Sequence, residues 1–204
     1  MWGNPHNKAM PRVSASEKMA IRRRLIEAGK GEFAARGLAG ARFDEISVAA
    51  GHAKGTIYNY FLNKEALFFE IVGEWCAELS SRAAFLDGSP RGQLLGLAEL
   101  DVEIARKDPD LALVVVQQMP ALLASHHTEV FDAIGPGLDL LAAICREGLA
   151  AGDFASPYSP EVLARLFLAS LSAFETEALI PDPIITLDDV VDMVDRHFVA
   201  GLIA

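Results

Sequence analysis

Apolar residues recur along this chain at intervals of three and four positions, the spacing of one face of an α-helix. No segment shows the two-residue alternation of a half-buried strand. Capping residues, glycine stops and prolines at helix starts divide the pattern into about nine helices, which predicts an all-α fold. The predicted helices cover about residues 16–36, 43–50, 54–60 and 63–85, followed by five that begin near Ser89, Asp108, Thr128, Ser159 and Thr186, the last three running to about Ala151, Leu179 and Ile203.

Five residues interrupt this helical pattern. Gly29 and Gly31 lie inside the first helix, where each costs about 1 kcal/mol relative to alanine, so close packing against another helix would explain them. Gly51 can adopt the left-handed conformation that ends a helix in a sharp turn. Pro120 is predicted to end or kink its helix, and Pro136 to kink the following one.

Residues 43–60 are organised as a helix-turn-helix. A short helix with Phe43 and Ile46 facing inward is followed by Gly51 and by a second short helix. The second helix carries a lysine, a threonine, two tyrosines and an asparagine. These side chains are suited to DNA phosphates and base edges, so the segment predicts a DNA-binding protein.

The net charge of −10 hides an asymmetry between the two parts of the chain. Residues 1–72 carry 11 Lys and Arg against 7 Asp and Glu, whereas the remaining residues carry 7 against 21. The first part therefore has a net charge of +4 and the rest −14. A basic part that meets a polyanion would account for this division, although acidic proteins can show such a division by chance.

Composition excludes several other classes of protein. A hydrophobic content of 51% argues against disorder, and the longest aliphatic run, Leu111–Val116, is far too short to span a bilayer. The first residues contain no apolar stretch resembling a signal peptide, and Cys76 and Cys145 lie separately within apolar helices, so a reducing cytoplasm is expected. No nucleotide-binding loop, nucleophile elbow or convincing metal-ligand cluster is recognised, and neither an enzyme nor a cofactor is predicted.

Residues 19–72 closely resemble the DNA-binding domain of tetracycline-repressor-like (TetR/AcrR) transcriptional regulators. The resemblance rests on Leu25, Ile26, Ala28, Phe33 and Gly37 of the first helix, and on the segments 43–46, 49–51, 54–61 and 63–67. It implies a three-helix DNA-binding domain followed by a helical domain that binds an inducer and dimerises. The later helices match that second domain only in their general pattern.

Two pairs of residues depart from the family pattern. Ala41 and Arg42 stand where the family usually has Thr or Ser before its second helix, and His52 and Ala53 stand where it usually has Val and Ser. Ala53 provides neither a helix cap, at a cost of about 1 kcal/mol, nor a hydroxyl for phosphate. Arg42 is expected to restore a phosphate contact. The DNA-contacting residues implied are Arg42, Lys54, Gly55, Thr56, Tyr58, Asn59, Tyr60 and Lys64.

Each of these contacts has an ordinary structural alternative. Gly55 would permit close approach of either the preceding helix or DNA, and Tyr58 could instead pack as a core aromatic residue. Tyr60 and Asn59 are equally compatible with contact and with a structural or solvent-facing position. The basic run Arg22–Arg24 is expected to be a solvated face, with one arginine within reach of the DNA backbone as the alternative.

The chain is predicted to comprise a flexible basic arm (1–15), a DNA-binding domain (16–62) and a ligand-binding and dimerisation domain (63–204), with helix 63–85 linking the last two. The last two helices are apolar nearly all round, which favours a four-helix dimer interface over burial within one subunit. The residues expected in the interface are Leu163, Phe167, Ser170, Leu171, Phe174, Val191, Val194 and Phe198. Polar or soft residues among apolar helices suggest the ligand pocket: Gln117, Gln118, Met119, His126, Cys145, Phe174 and Glu175.

The functional hypothesis is a DNA-binding repressor. A homodimer would place two recognition helices in successive major grooves, about 34–36 Å apart, on a palindromic double-stranded operator. A small-molecule effector would favour a conformation that no longer fits the DNA. No membrane partner is expected. The alternative is a dimeric helical interaction module that no longer reads DNA.

Overall fold

The computed structural model describes residues 14–86 and 88–202. These residues confirm the all-α prediction, because they form helices and no β-strand. The helices are α1 (Ala15–Gly40), α2 (Phe43–Ala49), a short 3-10 helix (Lys54–Asn59, the 54–59 helix), α3 (Lys64–Ala83), α4 (Pro90–Lys107), α5 (Pro109–Ser125), α6 (His127–Ala151), α7 (Pro160–Leu179), α8 (Val190–His197) and a terminal 3-10 turn (Val199–Leu202). Across the described ranges, no helix is both long and apolar enough to cross a membrane.

The start of α1 corrects the predicted cap. Ser14, rather than Ser16, is the N-cap, because Glu17 stands three residues after it and completes a capping box. The Glu17 amide donates to Ser14 Oγ at 3.2 Å, and the Ser14 amide donates to Glu17 Oε2 at 2.7 Å. The predicted arm otherwise lies outside the described residues.

Four other predicted caps accept a backbone hydrogen bond from the first turn of their helices. Asn63, Ser89, Asp108 and Ser159 accept from the amides of Ala66, Gly92, Leu111 and Val162. Proline follows the cap directly in α4, α5 and α7, where its missing N–H and fixed φ cost nothing.

Several predicted boundaries are wrong. Thr128 does not cap α6, because the His126 carbonyl already accepts the Val130 amide at 3.0 Å and the helix begins at His127. Thr186 does not begin the last helix either. Its amide and hydroxyl both donate to Asp189 Oδ2, which holds the intervening residues as a turn before Val190.

The two internal prolines do not end their helices. α5 continues past Pro120 to Ser125, and α6 contains Pro136 well within its span. α1 likewise extends beyond its predicted end. It continues across a kink at Gly37, whose φ of 65° is the left-handed conformation expected of its stop.

The helices enclose two apolar clusters. The first is formed by α1, α2, the 54–59 helix and the first half of α3, and it continues into α5 and the start of α6. The second is formed mainly by α4, α6, α7 and α8. The last turn of α3 enters the second cluster through Ala83. A movement of α3 or α5 relative to the second cluster would therefore change the packing of the N-terminal helices.

Gly29 permits the close packing of α1 against α3. A Cβ atom at this position would lie 2.7 Å from Leu67 Cδ2, so the buried Leu67 side chain would have to shift. Gly31 has no such role, because a Cβ atom there would meet nothing within 4 Å. The predicted reason for glycine therefore holds at Gly29 and fails at Gly31.

Candidate nucleic-acid interface

The turn between α2 and the 54–59 helix is tight and internally bonded. Gly51 has a φ of 80°, as predicted, and the His52 amide donates to the Ser47 carbonyl at 2.9 Å. Ser47 Oγ also accepts the Ile57 amide at 3.0 Å. Ser47 and Ile57 are both fully buried, so this hydrogen bond fixes the 54–59 helix against α2.

Ser47 was not recognised in the sequence. The only local signal is a small polar residue directly after the inward-facing Ile46, and that pattern does not identify its distant partner. The absence of a side-chain cap at Ala53 was recognised, and Ala53 makes no capping hydrogen bond. The side chain of Ser47 therefore provides an anchor for the helix that Ala53 does not.

Two cations predicted to bind phosphate lie together at the start of α2 and of the 54–59 helix. Arg42 and Lys54 each contact Glu45 Oε1 at 3.2 Å, and both have more than half of their side-chain surface exposed. The hydrogen bond from Lys54 lowers the pKa of Glu45, with a smaller contribution from Arg42. Glu45 is therefore an ionised carboxylate that holds both cations at one surface.

The outward surface of the 54–59 helix carries Gly55, Tyr58 and Asn59. Tyr58 is 57% exposed and rests its ring edge-on against Phe43, with centroids 5.1 Å apart. Tyr58 is therefore an exposed aromatic residue that packs against Phe43, rather than a core residue. A Cβ atom on Gly55 would meet nothing within 4 Å, so approach of the preceding helix does not require glycine here.

The remaining predicted contacts are half-buried. Tyr60 packs partly against the first apolar cluster, and Thr56 lies in the first turn of the 54–59 helix. Lys64 donates from Nζ to the Ala39 carbonyl at 2.8 Å, which ties the start of α3 to the end of α1. An ammonium group has three donors, so Lys64 can still donate to an anion.

The basic run on α1 is only partly solvated. Arg22 lies over the Phe61 ring, 5.0 Å from its centroid, and forms an ion pair with Glu70 on α3. The hydrogen bond from Arg22 lowers the pKa of Glu70. Arg23 and Arg24 are exposed, as expected for a solvated face. Arg22 therefore joins α1 to α3, which corrects the expectation for that residue.

The predicted ligand residues are divided between the two apolar clusters. Met119 packs against the first apolar cluster, and the His126 ring lies 5.8 Å from that of Phe69, so both are at the junction of α5 with the N-terminal helices. Gln117 is exposed and Gln118 is half-buried on α5. The remaining three residues belong to the second cluster or lie beside it.

Those three residues also have different surroundings. Cys145 is completely buried within the second cluster, and burial raises the pKa of its thiol to about 11. Phe174 is half-buried near His197, with ring centroids 6.0 Å apart. Glu175 is 3% exposed and faces Asp101 of α4. Only Glu175 has the character of a polar group held inside an apolar domain.

Glu175, Asp101 and Trp75 form a buried polar group between α7, α4 and α3. The Trp75 indole donates from Nε1 to Asp101 Oδ1 at 2.6 Å, and the Glu175 carboxyl lies beside that of Asp101. Burial raises the pKa of both carboxyls, and the Asp101 charge raises that of Glu175 further. Asp101 and Trp75 were not singled out in the sequence.

Half of the predicted interface residues are buried within their own subunit. Leu163, Phe167, Leu171 and Val194 are at most 3% exposed and belong to the core of their own subunit. Ser170, Phe174, Val191 and Phe198 are half-buried. The apolar side chains that α7 exposes lie on its opposite face and are those of Val162, Leu166, Ala169 and Ala173.

Two shallow hollows lie at the surface, away from the predicted ligand residues. One, of about 300 Å³, lies between α4 and the turn before α8 and is lined by charged residues such as Glu103 and Arg106. The other, of about 530 Å³, lies between α1 and the end of α2. Neither is lined by Glu175 or by another predicted pocket residue.

Comparison with known proteins agrees with the arrangement of the N-terminal helices. Residues 25–71 match the family model of bacterial regulatory proteins of the tetR family. The chain is 32% identical over 114 residues to the HTH-type transcriptional repressor Rv1474c of Mycobacterium tuberculosis, a match that covers 50% of this chain and 60% of that protein. It is 37% identical over 68 residues to the repressor SCO4008 of Streptomyces coelicolor, which covers 33% of this chain and 35% of that one. These matches therefore span less than two thirds of either relative.

Solved structures share the fold over nearly the whole chain. The regulator FadR of Bacillus subtilis, solved in complex with stearoyl-CoA, superposes with a TM-score of 0.77 at 20% identity, covering 88% of this chain and 98% of that one. FadR of Bacillus halodurans superposes with a TM-score of 0.75 at 24% identity, covering 89% and 96%. At these identities the similarity establishes the fold. The family match therefore shows a helix-turn-helix region of the tetR family of bacterial regulatory proteins at residues 25–71, in a chain that shares the fold of these solved regulators.

Proposed function

We propose that this protein is a homodimeric transcriptional repressor that binds a palindromic DNA operator and releases it when a small molecule binds the C-terminal domain. The observation that carries the proposal is the outward-facing 54–59 helix on a helix-turn-helix of the tetR family. The DNA-binding unit would comprise residues 16–62, and residues 63–204 would bind the effector and dimerise. The protein would act in the cytoplasm as a regulator rather than as an enzyme.

The charges and donors of the N-terminal surface support DNA contact. Arg42 and Lys54 would leave Glu45 for phosphate oxygens, where both could form charge-assisted hydrogen bonds. Tyr58 and Asn59 offer further donors on the exposed side of the 54–59 helix, and Gly55 leaves room for close approach of the DNA. The acidic remainder of the chain, with its net charge of −14, would be directed away from the DNA.

The outer face of α7 is the favoured dimer surface. Val162 and Leu166 are 41% and 43% exposed, and they share one helical stripe with the exposed Ala169 and Ala173. Small residues in this stripe would let two copies of α7 approach closely across a two-fold axis. Burial of such a stripe in a second copy would remove apolar surface from water.

An effector would act through the helices that join the two apolar clusters. α3 carries Trp75 beside the buried acid pair, and its first half packs in the N-terminal cluster. α5 also packs in that cluster. A ligand that changed the position of either helix would change the spacing of the two 54–59 helices in the dimer. The ligand-bound relative of the same fold, FadR with stearoyl-CoA, supports a small-molecule role for this domain.

Titration with DNA tests the proposal. A fluorescent duplex from upstream of the gene or its neighbour should bind dimeric protein with sequence preference, and its affinity should fall steeply with salt. Lys54→Ala should weaken binding to all sequences and reduce the salt slope by about 1, whereas Lys107→Ala, far from this surface, should change neither. Dimeric protein without sequence preference or salt dependence would contradict the proposal and favour an interaction module that no longer reads DNA.

A further inference from the structure

We infer that the effector is an amphipathic organic cation with N–H donors, such as a protonated alkylamine, and that its charged group binds the Asp101–Glu175 pair. This inference rests on the proposed function, because it identifies the chemical class of the small molecule. The pair lies where α3, α4 and α7 meet, so the site borders the helix that leads to the DNA-binding unit.

The hydrogen bonding of the pair calls for an additional donor. Asp101 Oδ1 already accepts from the Trp75 indole, whereas Glu175 Oε1 is buried without any partner among the described residues. Only 3% of the Glu175 surface is exposed. Buried polar atoms in folded proteins are nearly always paired. An ammonium group has three N–H donors and no acceptor, so it can serve both carboxyls at once.

The charge of the pair matches that of a single cation. Burial raises the pKa of both carboxyls, and Glu175 is affected more because the Asp101 carboxylate lies against it. The pair therefore keeps one proton and carries one negative charge when Asp101 is ionised. A buried negative charge is costly unless it is paired, and an organic cation would supply the missing counter-charge.

The surroundings suit the apolar part of such a ligand. Leu97 precedes Asp101 by one helical turn and Leu171 precedes Glu175 by one turn, and both are buried in the second apolar cluster. Cys76, next to Trp75, is half-buried, and burial raises its pKa to about 11, so it is a neutral thiol. An alkyl chain extending from the acid pair would therefore meet apolar or neutral side chains.

The same features disfavour an anionic effector. A fatty acyl-CoA brings several phosphate charges toward a part of the chain that has a net charge of −14. Its thioester and acyl chain offer no donor for Glu175 Oε1. A cation would also compete with Trp75 for Asp101, and so would alter the contact that holds α3 to α4.

A matched set of C12 compounds tests this inference. Binding of dodecylamine, dodecyltrimethylammonium, dodecanol and lauroyl-CoA to the full-length protein is measured calorimetrically, below their micellar concentrations. Dodecylamine should bind at least tenfold more tightly than each of the others, because only it combines a positive charge with N–H donors. Tighter binding of lauroyl-CoA, or equal binding of dodecanol, would overturn the inference.

Variants locate the site. Glu175→Gln and Asp101→Asn should each weaken dodecylamine binding at least tenfold, whereas Glu147→Gln, which removes an exposed carboxyl from α6, should leave it unchanged. Circular dichroism confirms that each variant is folded. Unchanged dodecylamine affinity in both folded acid-pair variants would overturn the proposed site.

Operator release separates this inference from the proposed function. If the protein binds its operator and dodecylamine releases it, both are supported. If the operator is bound but only lauroyl-CoA releases it, the repressor function stands and the cationic effector is wrong. If no operator is bound, the repressor function fails, and the calorimetric comparison still decides whether the acid pair binds amines.

Discussion

Replacing Ser47 with alanine tests whether the buried hydroxyl fixes the 54–59 helix on α2. The substitution removes the acceptor that lies 3.0 Å from the Ile57 amide, in a place where both residues are fully buried. Loss of a hydrogen bond to a buried donor costs about 1–2 kcal/mol. Alanine recovers up to about 0.5 kcal/mol because it is the better helix former within α2. The net expected loss is therefore about 1 kcal/mol.

Thermal unfolding at a fixed protomer concentration measures this effect. A loss of about 1 kcal/mol lowers the Tm of a chain of this size by about 2–4 °C. Ser81→Ala is the matched control, because Ser81 is an exposed helical serine whose hydroxyl donates to the Glu78 carbonyl of its own helix. A Tm of the Ser47 variant equal to or above that of the control would refute the reasoning. Operator affinity should fall as well, because the 54–59 helix would be less firmly positioned.

Three further outcomes are expected. Glu45→Gln should increase DNA affinity and steepen its salt dependence, because Arg42 and Lys54 lose their competing carboxylate; weaker binding in a fluorescence titration would contradict this role. Leu166→Glu should shift sedimentation from dimer toward monomer with the helical content retained, and an unchanged dimer would exclude the α7 face as the interface. The stability of the wild type should fall as pH rises from about 5 to about 8.5, because the folded state retains a Glu175 proton that the unfolded chain releases. Glu175→Gln should reduce this fall, and identical urea midpoints against pH in both proteins would refute it.

The N-terminal unit could be anticipated because its signals are local. Helix periodicity, the turn at Gly51 and the cap at Asn63 each depend on residues only a few positions apart. The clustering of Arg42 and Lys54 around Glu45 also follows from the short separation of α2 and the 54–59 helix. The anchoring role of Ser47 needed the fold, because a serine on a short helix does not specify which distant amide it accepts.

The C-terminal sites depended on tertiary packing. Periodicity identified α7 as apolar nearly all round, yet it did not show that Leu163 and Phe167 face the core while Leu166 faces outward. Glu175 was recognised as a polar residue among apolar helices, but its partners Asp101 and Trp75 come from two other helices.

The sequence by itself therefore determined the helical class and the helix-turn-helix, because periodicity, turns and caps are short-range properties of a chain. Only the tertiary structure decided which apolar face of α7 is buried and which acids meet in the second cluster. The physical reason is that burial and pairing depend on how distant helices pack. Two carboxyls on separate helices acquire raised pKa values and an unsatisfied oxygen only when folding brings them together out of water.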